Sequence, residues 1–161
     1  MGNYRKMMAI VDISPNGERV AQRAFKMAQL YNATLAIATI IDYTPGYESG
    51  HAPFLTPNQA CDALVKQFSG KLDLLLNRIG AAGVESIVVA GELKPAVADV
   101  VQSWQPDLVV IGSHETFGLD QPKSVFGRHA ITLPFDVLVT QIDQQKHIGG
   151  RLVHALTAAF C

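Results

Sequence analysis

Short runs of aliphatic and β-branched residues alternate with longer stretches of helical periodicity along this chain, and few folds accept that alternation. Lys6 to Ile13 reads as a buried strand. Ala33 to Ile41 reads as a second, with no charge before Asp42. Ser86 to Ala90, Asp107 to Ile111 and Val137 to Thr140 supply three more. Nearly continuous apolar strands suit a parallel sheet covered on both faces, and parallel neighbours need helical crossovers of one hand.

The intervening segments have the matching signals. Ser14-Pro15 is an N-cap followed by a first-turn proline, and Val20, Ala24, Met27, Ala28 and Tyr31 fall on one stripe. Thr56-Pro57-Asn58-Gln59 matches a capping box. Behind it, Cys61, Leu64, Val65, Phe68, Leu72, Leu75, Leu76 and Ile79 recur at spacings of three and four, until Gly80 to Gly83 end the helix. Val97, Val100, Val101 and Trp104 mark a third helix after Gly91 to Pro95. Ser124 to Leu133 reads as a short one with Val125, Phe126, His129, Ala130 and Leu133 inward.

A chain of 161 residues with 48% hydrophobic and 17% charged residues has the material for one full core. Residues 1–141 form that domain, and residues 142–161 are a tail. There, Ile148, Leu152, Val153, Leu156 and Phe160 could make a short helix weakened by Gly149-Gly150. The tail reads either as a docking helix or as a packed or frayed terminus. Thirteen basic against fourteen acidic side chains give a formal charge of -1, which exerts no long-range pull on nucleic acid or acidic membranes. No run approaches the ~18–20 apolar residues of a membrane span, and the amino terminus lacks a secretory signal. Cys61 and Cys161 form no CxxC pair or zinc spacing. The expectation is a reduced, cytoplasmic protein with no nucleic-acid or membrane partner.

On an open parallel sheet, ligands lie beyond the carboxyl ends of the strands where the strand order reverses. That geometry gathers Asp12, the Ile40–Asp42 end and the loop after Gly112 on one rim. Asp12 can accept hydrogen bonds from a base or can cap the following turn, and both roles stay open.

Three segments resemble the universal stress protein family: Met8 to Pro15 with its strand-end acid, Val88 to Pro95 with its glycine turn, and Asp107 to His114. Val137 to Thr140 is similar to the family's closing strand. The resemblance covers about Lys6 to Gln141. It implies an α/β fold: a single-domain, open five-stranded parallel sheet of order 3-2-1-4-5, helices on both faces, of the adenine nucleotide alpha hydrolase-like kind. It also implies a homodimer paired through the last strand (Val137, Leu138, Val139), which would relieve an exposed apolar edge.

ATP-binding members carry a loop G-x2-G-x9-G-[ST], in which glycines let backbone N–H groups approach phosphates at a helix N-terminus. Gly112 matches the first glycine, but Glu115 stands at the second. Like unit charges ~4 Å apart cost on the order of 1 kcal/mol even when well screened. With Gly127 as the third glycine, the spacer is two residues too long and Arg128 replaces the hydroxyl. With Ser124-Val125 aligned instead, Lys123 replaces the glycine and the spacer is short. Gly118 matches a further loop glycine.

By resemblance, Asp12 and Ile40 match positions that hold adenine and ribose. Asp12, Ile40, Gly112, Ser113, His114, Gly118, Ser124 and Gly127 therefore form the candidate nucleotide site, for ATP or AMP. The stretch Gly112 to Phe117 is more similar to the universal stress protein A branch, which lacks the glycine loop. The resemblance thus implies a non-catalytic, dimeric binding or regulatory stress-response protein. The alternatives are an ATP/AMP-binding sensor, with slow hydrolysis at its extreme, and an enzyme of the wider superfamily.

No catalytic constellation is legible. His114 beside Glu115 offers acid–base chemistry, but a hydrogen-bonded loop histidine accounts for it. His129 reads as a core or interface group. His147 and His154, seven apart, lack the carboxylate a metal site would want. No G-x-S-x-G, Walker or HExxH motif occurs.

Overall fold

The apolar runs become five parallel strands in the computed structural model, which describes residues 3–43, 56–121, 125–126 and 134–142. In chain order these are β1 (Lys6–Ile10), α1 (Pro15–Tyr31), β2 (Thr34–Asp42), α2 (Pro57–Arg78), β3 (Glu85–Gly91), α3 (Leu93–Trp104), β4 (Leu108–Gly112) and β5 (Asp136–Thr140). The spatial order is β3-β2-β1-β4-β5, as the resemblance implied.

Alternation along the strands builds two cores. Met7, Ala9, Leu35, Ile37, Leu108 and Val110 face α1 and α2. Met8, Ile10, Ala36, Ala38, Val109 and Ile111 face α3. The central strands β1 and β4 are buried almost throughout, whereas the edge strands β3 and β5 are mostly half-exposed. Two covered faces require this near-continuous apolar reading of the middle strands.

The helices start where their caps are. Ser14 Oγ accepts the Gly17 N–H at 3.0 Å. Thr56 and Gln59 exchange reciprocal bonds, Gln59 N–H to Thr56 Oγ1 at 3.3 Å and Thr56 N–H to Gln59 Oε1 at 3.0 Å. Such a cap contributes about 1 kcal/mol.

Three expectations change. β1 ends at Ile10 rather than Ile13, because Ser14 N–H turns back onto the Asp12 carbonyl at 3.1 Å and starts α1. The apolar stripe of α2 is only half used: Leu72, Leu75 and Leu76 are buried, while Cys61, Leu64, Val65 and Phe68 are half-exposed. Among the described residues, only the second half of this 22-residue helix contributes side chains to the core. On α1, Val20, Ala24 and Ala28 are buried, but Tyr31 is exposed. Of the short helix expected over Ser124 to Leu133, Val125 and Phe126 are described and helical. Its remainder, with Ser124, Gly127 and His129, and the tail with His147, His154 and Cys161 lie outside the described residues.

Candidate functional site: the carboxyl ends of β1 and β4

β1 and β4 are neighbours whose following loops diverge, one into α1 and the other toward β5, so a crevice opens at their carboxyl ends. Its floor is set by two glycines, each for a specific atomic reason. A Cβ on Gly17, in the first turn of α1, would lie 1.8 Å from the Asp12 carbonyl oxygen and 2.8 Å from Asp12 Oδ1. The helix start can press against the end of β1 only because no side chain intervenes. A Cβ on Gly112 would lie 2.5 Å from both Cε1 and Nδ1 of His114, and 2.8 Å from Val20 Cγ2 of α1. The space above the β4 glycine is therefore filled by the imidazole of this chain.

His114 reaches across the crevice to Asp12, with Nε2 at 2.6 Å from Oδ1. A carboxylate only accepts, so Nε2 carries the proton and donates. The Nδ1 atom is buried with no hydrogen-bond partner, consistent with an unprotonated nitrogen packed against Gly112. Burial pushes the Asp12 carboxyl up. Hydrogen bonding from Ser14 and His114, and the nearby imidazole, more than offset this, so its pKa lies below the ordinary value. The His114 side chain is only 17% exposed and that of Asp12 34%.

The loop carrying His114 is held from several sides. Ser113 N–H donates to the Thr140 carbonyl at 2.9 Å, and Ser113 Oγ accepts the Ile142 N–H at 2.9 Å. Those bonds tie the end of β4 to the end of β5. Glu115 folds back to form an antiparallel bridge with Gly112, and its Oε1 accepts the Phe117 N–H at 3.0 Å. Phe117 and Gly118 both have positive φ, 53° and 80°. For phenylalanine that conformation is unfavourable, but it delivers the ring into the α3-side core beside Leu119. Thr116 Oγ1 donates to Asp120 Oδ1 at 2.8 Å across the same turn.

Asp12, Gly112, Ser113 and His114 thus come together at the crevice, with Gly118 in the loop that leaves it. Ile40 sits near the carboxyl end of β2, paired in register with Val89 and buried in the α3-side core at 8% exposure. Ser124 and Gly127 lie outside the described residues. Sequence reasoning missed Gly17 and the Asp12–His114 pairing. A glycine three residues beyond a capping serine signals the first. The second joins residues 102 positions apart, which no local pattern encodes.

The described part of the crevice does not fit an adenine nucleotide as it stands. The imidazole occupies the cradle that Gly112 would otherwise offer, and Glu115 stands where the phosphate loop wants a glycine.

Comparison with known proteins places the chain. The model of the Universal stress protein family matches residues 3–133. Universal stress protein A homolog 1 of Coxiella burnetii is 27% identical over 121 residues, covering 74% of this chain and 83% of that protein. Universal stress protein UspA from Lactobacillus plantarum superposes with a TM-score of 0.61 at 19% identity, over 86% of this chain and 99% of that one. The universal stress protein from Archaeoglobus fulgidus in complex with dAMP gives 0.55 at 15% identity, over 86% and 98%. At these identities the two structures support the fold alone.

Proposed function

This chain belongs to the universal stress protein family, and from that premise we propose that it is a non-catalytic member acting as a homodimeric binding and regulatory module. In this reading its strand-end crevice is closed by its own side chains. The observation that carries it is the His114 ring, seated over Gly112 and bonded to Asp12. A ligand entering there would have to displace a buried imidazole, break a charge-assisted hydrogen bond worth about 1.5–3 kcal/mol, and meet the Glu115 carboxylate. Function then passes through protein surfaces. The half-exposed edge of β5, with Val137, Leu138 and Val139, is the surface assigned to the homodimer, since pairing removes an aggregation-prone edge.

The test has two arms. Thermal unfolding with AMP, or with ATP and magnesium, at millimolar concentration should leave the midpoint unmoved. Sedimentation equilibrium should show a dimer that Val139→Lys dissociates at low micromolar concentration. A fully dimeric Val139→Lys protein would refute the β5 interface.

A second reading is an ATP- or AMP-binding sensor. Asp12 and Gly112 are retained at the switch point, and a relative of the same fold is described in complex with dAMP. It requires His114 to swing out of the crevice. Glu115→Gly should then raise nucleotide affinity, and a saturable rise in the wild-type unfolding midpoint would favour this reading over the first.

A further inference from the structure

The sheet has a second edge, and its surroundings differ from those of β5. β3 pairs only with β2 among the described residues. The strand, Glu-Ser-Ile-Val-Val-Ala-Gly, carries no proline and no lysine, two common protections of an open edge. On its α3 side lies an apolar groove of about 300 Å³, lined by Ile87, Val89, Asp99, Val100, Ser103 and Trp104. On its other face Ser86 Oγ donates to Asp73 Oδ1 of α2 at 3.3 Å. The two helix layers thus flank the open edge.

Trp104 is fixed in place. Its Nε1 donates to Glu85 Oε2 at 3.0 Å, and Lys6 Nζ lies 4.4 Å from the ring centroid while also bonding the Trp104 carbonyl. A half-buried, pre-oriented indole beside a backbone edge with no strand partner among the described residues makes an anchor point at low entropic cost. Glu85 at the start of the strand and Asp99 on the groove wall lie on the Trp104 side, with Lys6 over the ring, and Asp73 stands on the opposite face of the strand beside Ser86.

We propose that the open edge of β3 takes an extended segment of a partner protein as a sixth strand. Its apolar side chains would alternate into the groove over Val100 and Trp104, and its basic side chains would alternate toward Asp73. Strand addition supplies main-chain hydrogen bonds, and the period of two sorts the side chains to the two faces. The acidic flanks select a basic, apolar-alternating segment over an acidic one. Nothing in this proposal depends on whether the crevice is closed; it requires only that self-association does not use the β3 edge.

The probe is a fluorescein-labelled peptide alternating valine and lysine over the seven-residue length of β3, followed by anisotropy. Saturable binding is expected, at least tenfold weaker for Val89→Lys and severalfold weaker for Asp73→Lys. A peptide N-methylated at alternate backbone nitrogens should lose binding, an arm that does not depend on any variant folding. Val139→Lys should bind the peptide like the wild type. The proposal is overturned if the wild type shows no saturable binding, or if the N-methylated peptide binds equally well. It is also overturned if binding is lost in Val139→Lys rather than Val89→Lys. A fall in the protein's molecular mass on Val89→Lys would instead assign this edge to self-pairing and likewise overturn it.

Discussion

The crevice between β1 and β4 and the groove between β3 and α3 are both concave, and they are built in opposite ways. In the crevice, polar groups are turned on one another: His114 on Asp12, Ser14 on Gly17, and Glu115 on the Phe117 N–H. In the groove, apolar walls lie beside a strand edge without a backbone partner among the described residues. A site whose groups already satisfy each other has little left to offer a ligand, whereas an unpaired edge keeps its hydrogen bonds in reserve. At the place where this fold class binds ligands, Asp12, His114 and Glu115 are each bonded within the chain.

That contrast can be broken most forcefully at Gly17. A methyl group there has no room beside the Asp12 carbonyl, so Gly17→Ala should cost about 3 kcal/mol of overpacking, read as a lowered urea midpoint at unchanged slope. A cost within ~0.5 kcal/mol, the range of ordinary surface changes, would mean that α1 does not press on β1 as described. His114→Ala comes next. It deletes a mostly buried ring and its bond to Asp12, so a loss of about 2–3 kcal/mol is expected. A neutral result would leave the imidazole without the closing role assigned to it.

A smaller effect follows from the lowered pKa of Asp12. Its folded-state pKa lies below the unfolded one, so its contribution is fully present above roughly pH 4 and is lost as pH falls through the lowered value. Asp12→Asn should therefore flatten the acid limb of the stability profile and leave the slope near neutrality unchanged. An unaltered acid limb in that variant would contradict the bonding described around Asp12. The smallest effect belongs to the groove. Asp99→Lys, at an exposed position on the groove wall, should shift the stability of the free protein by no more than about 0.5 kcal/mol. A larger loss would show that Asp99 holds structure as well as lining the groove.

Much of this architecture was legible in the residues. Apolar runs bounded by Ser14-Pro15 or Thr56 to Gln59 fix where strands stop and helices start, since capping is local chemistry. The switch-point rule places Asp12 and Gly112 on one rim from the sequence alone. What escaped depends on distance in the chain. The stripe from Cys61 to Ile79 identifies an apolar face but not how far the sheet extends beneath it. Gly112 matches a phosphate-loop glycine, yet the structure uses its missing side chain to seat an imidazole. Only the pairing of β1 with β4 brings Asp12 to His114. Phe117 in the left-handed region escaped for a similar reason, as its backbone cost is offset by burial in a core assembled from distant strands.

The central claim is that His114 closes the crevice onto Asp12, and imidazole ¹⁵N–¹H correlation spectra recorded with and without millimolar AMP test it most directly. The account predicts the Nε2–H tautomer for His114, with ring resonances unmoved by the nucleotide. A ring in the Nδ1–H tautomer, or resonances that shift saturably as AMP is added, would contradict it and make the crevice a ligand site.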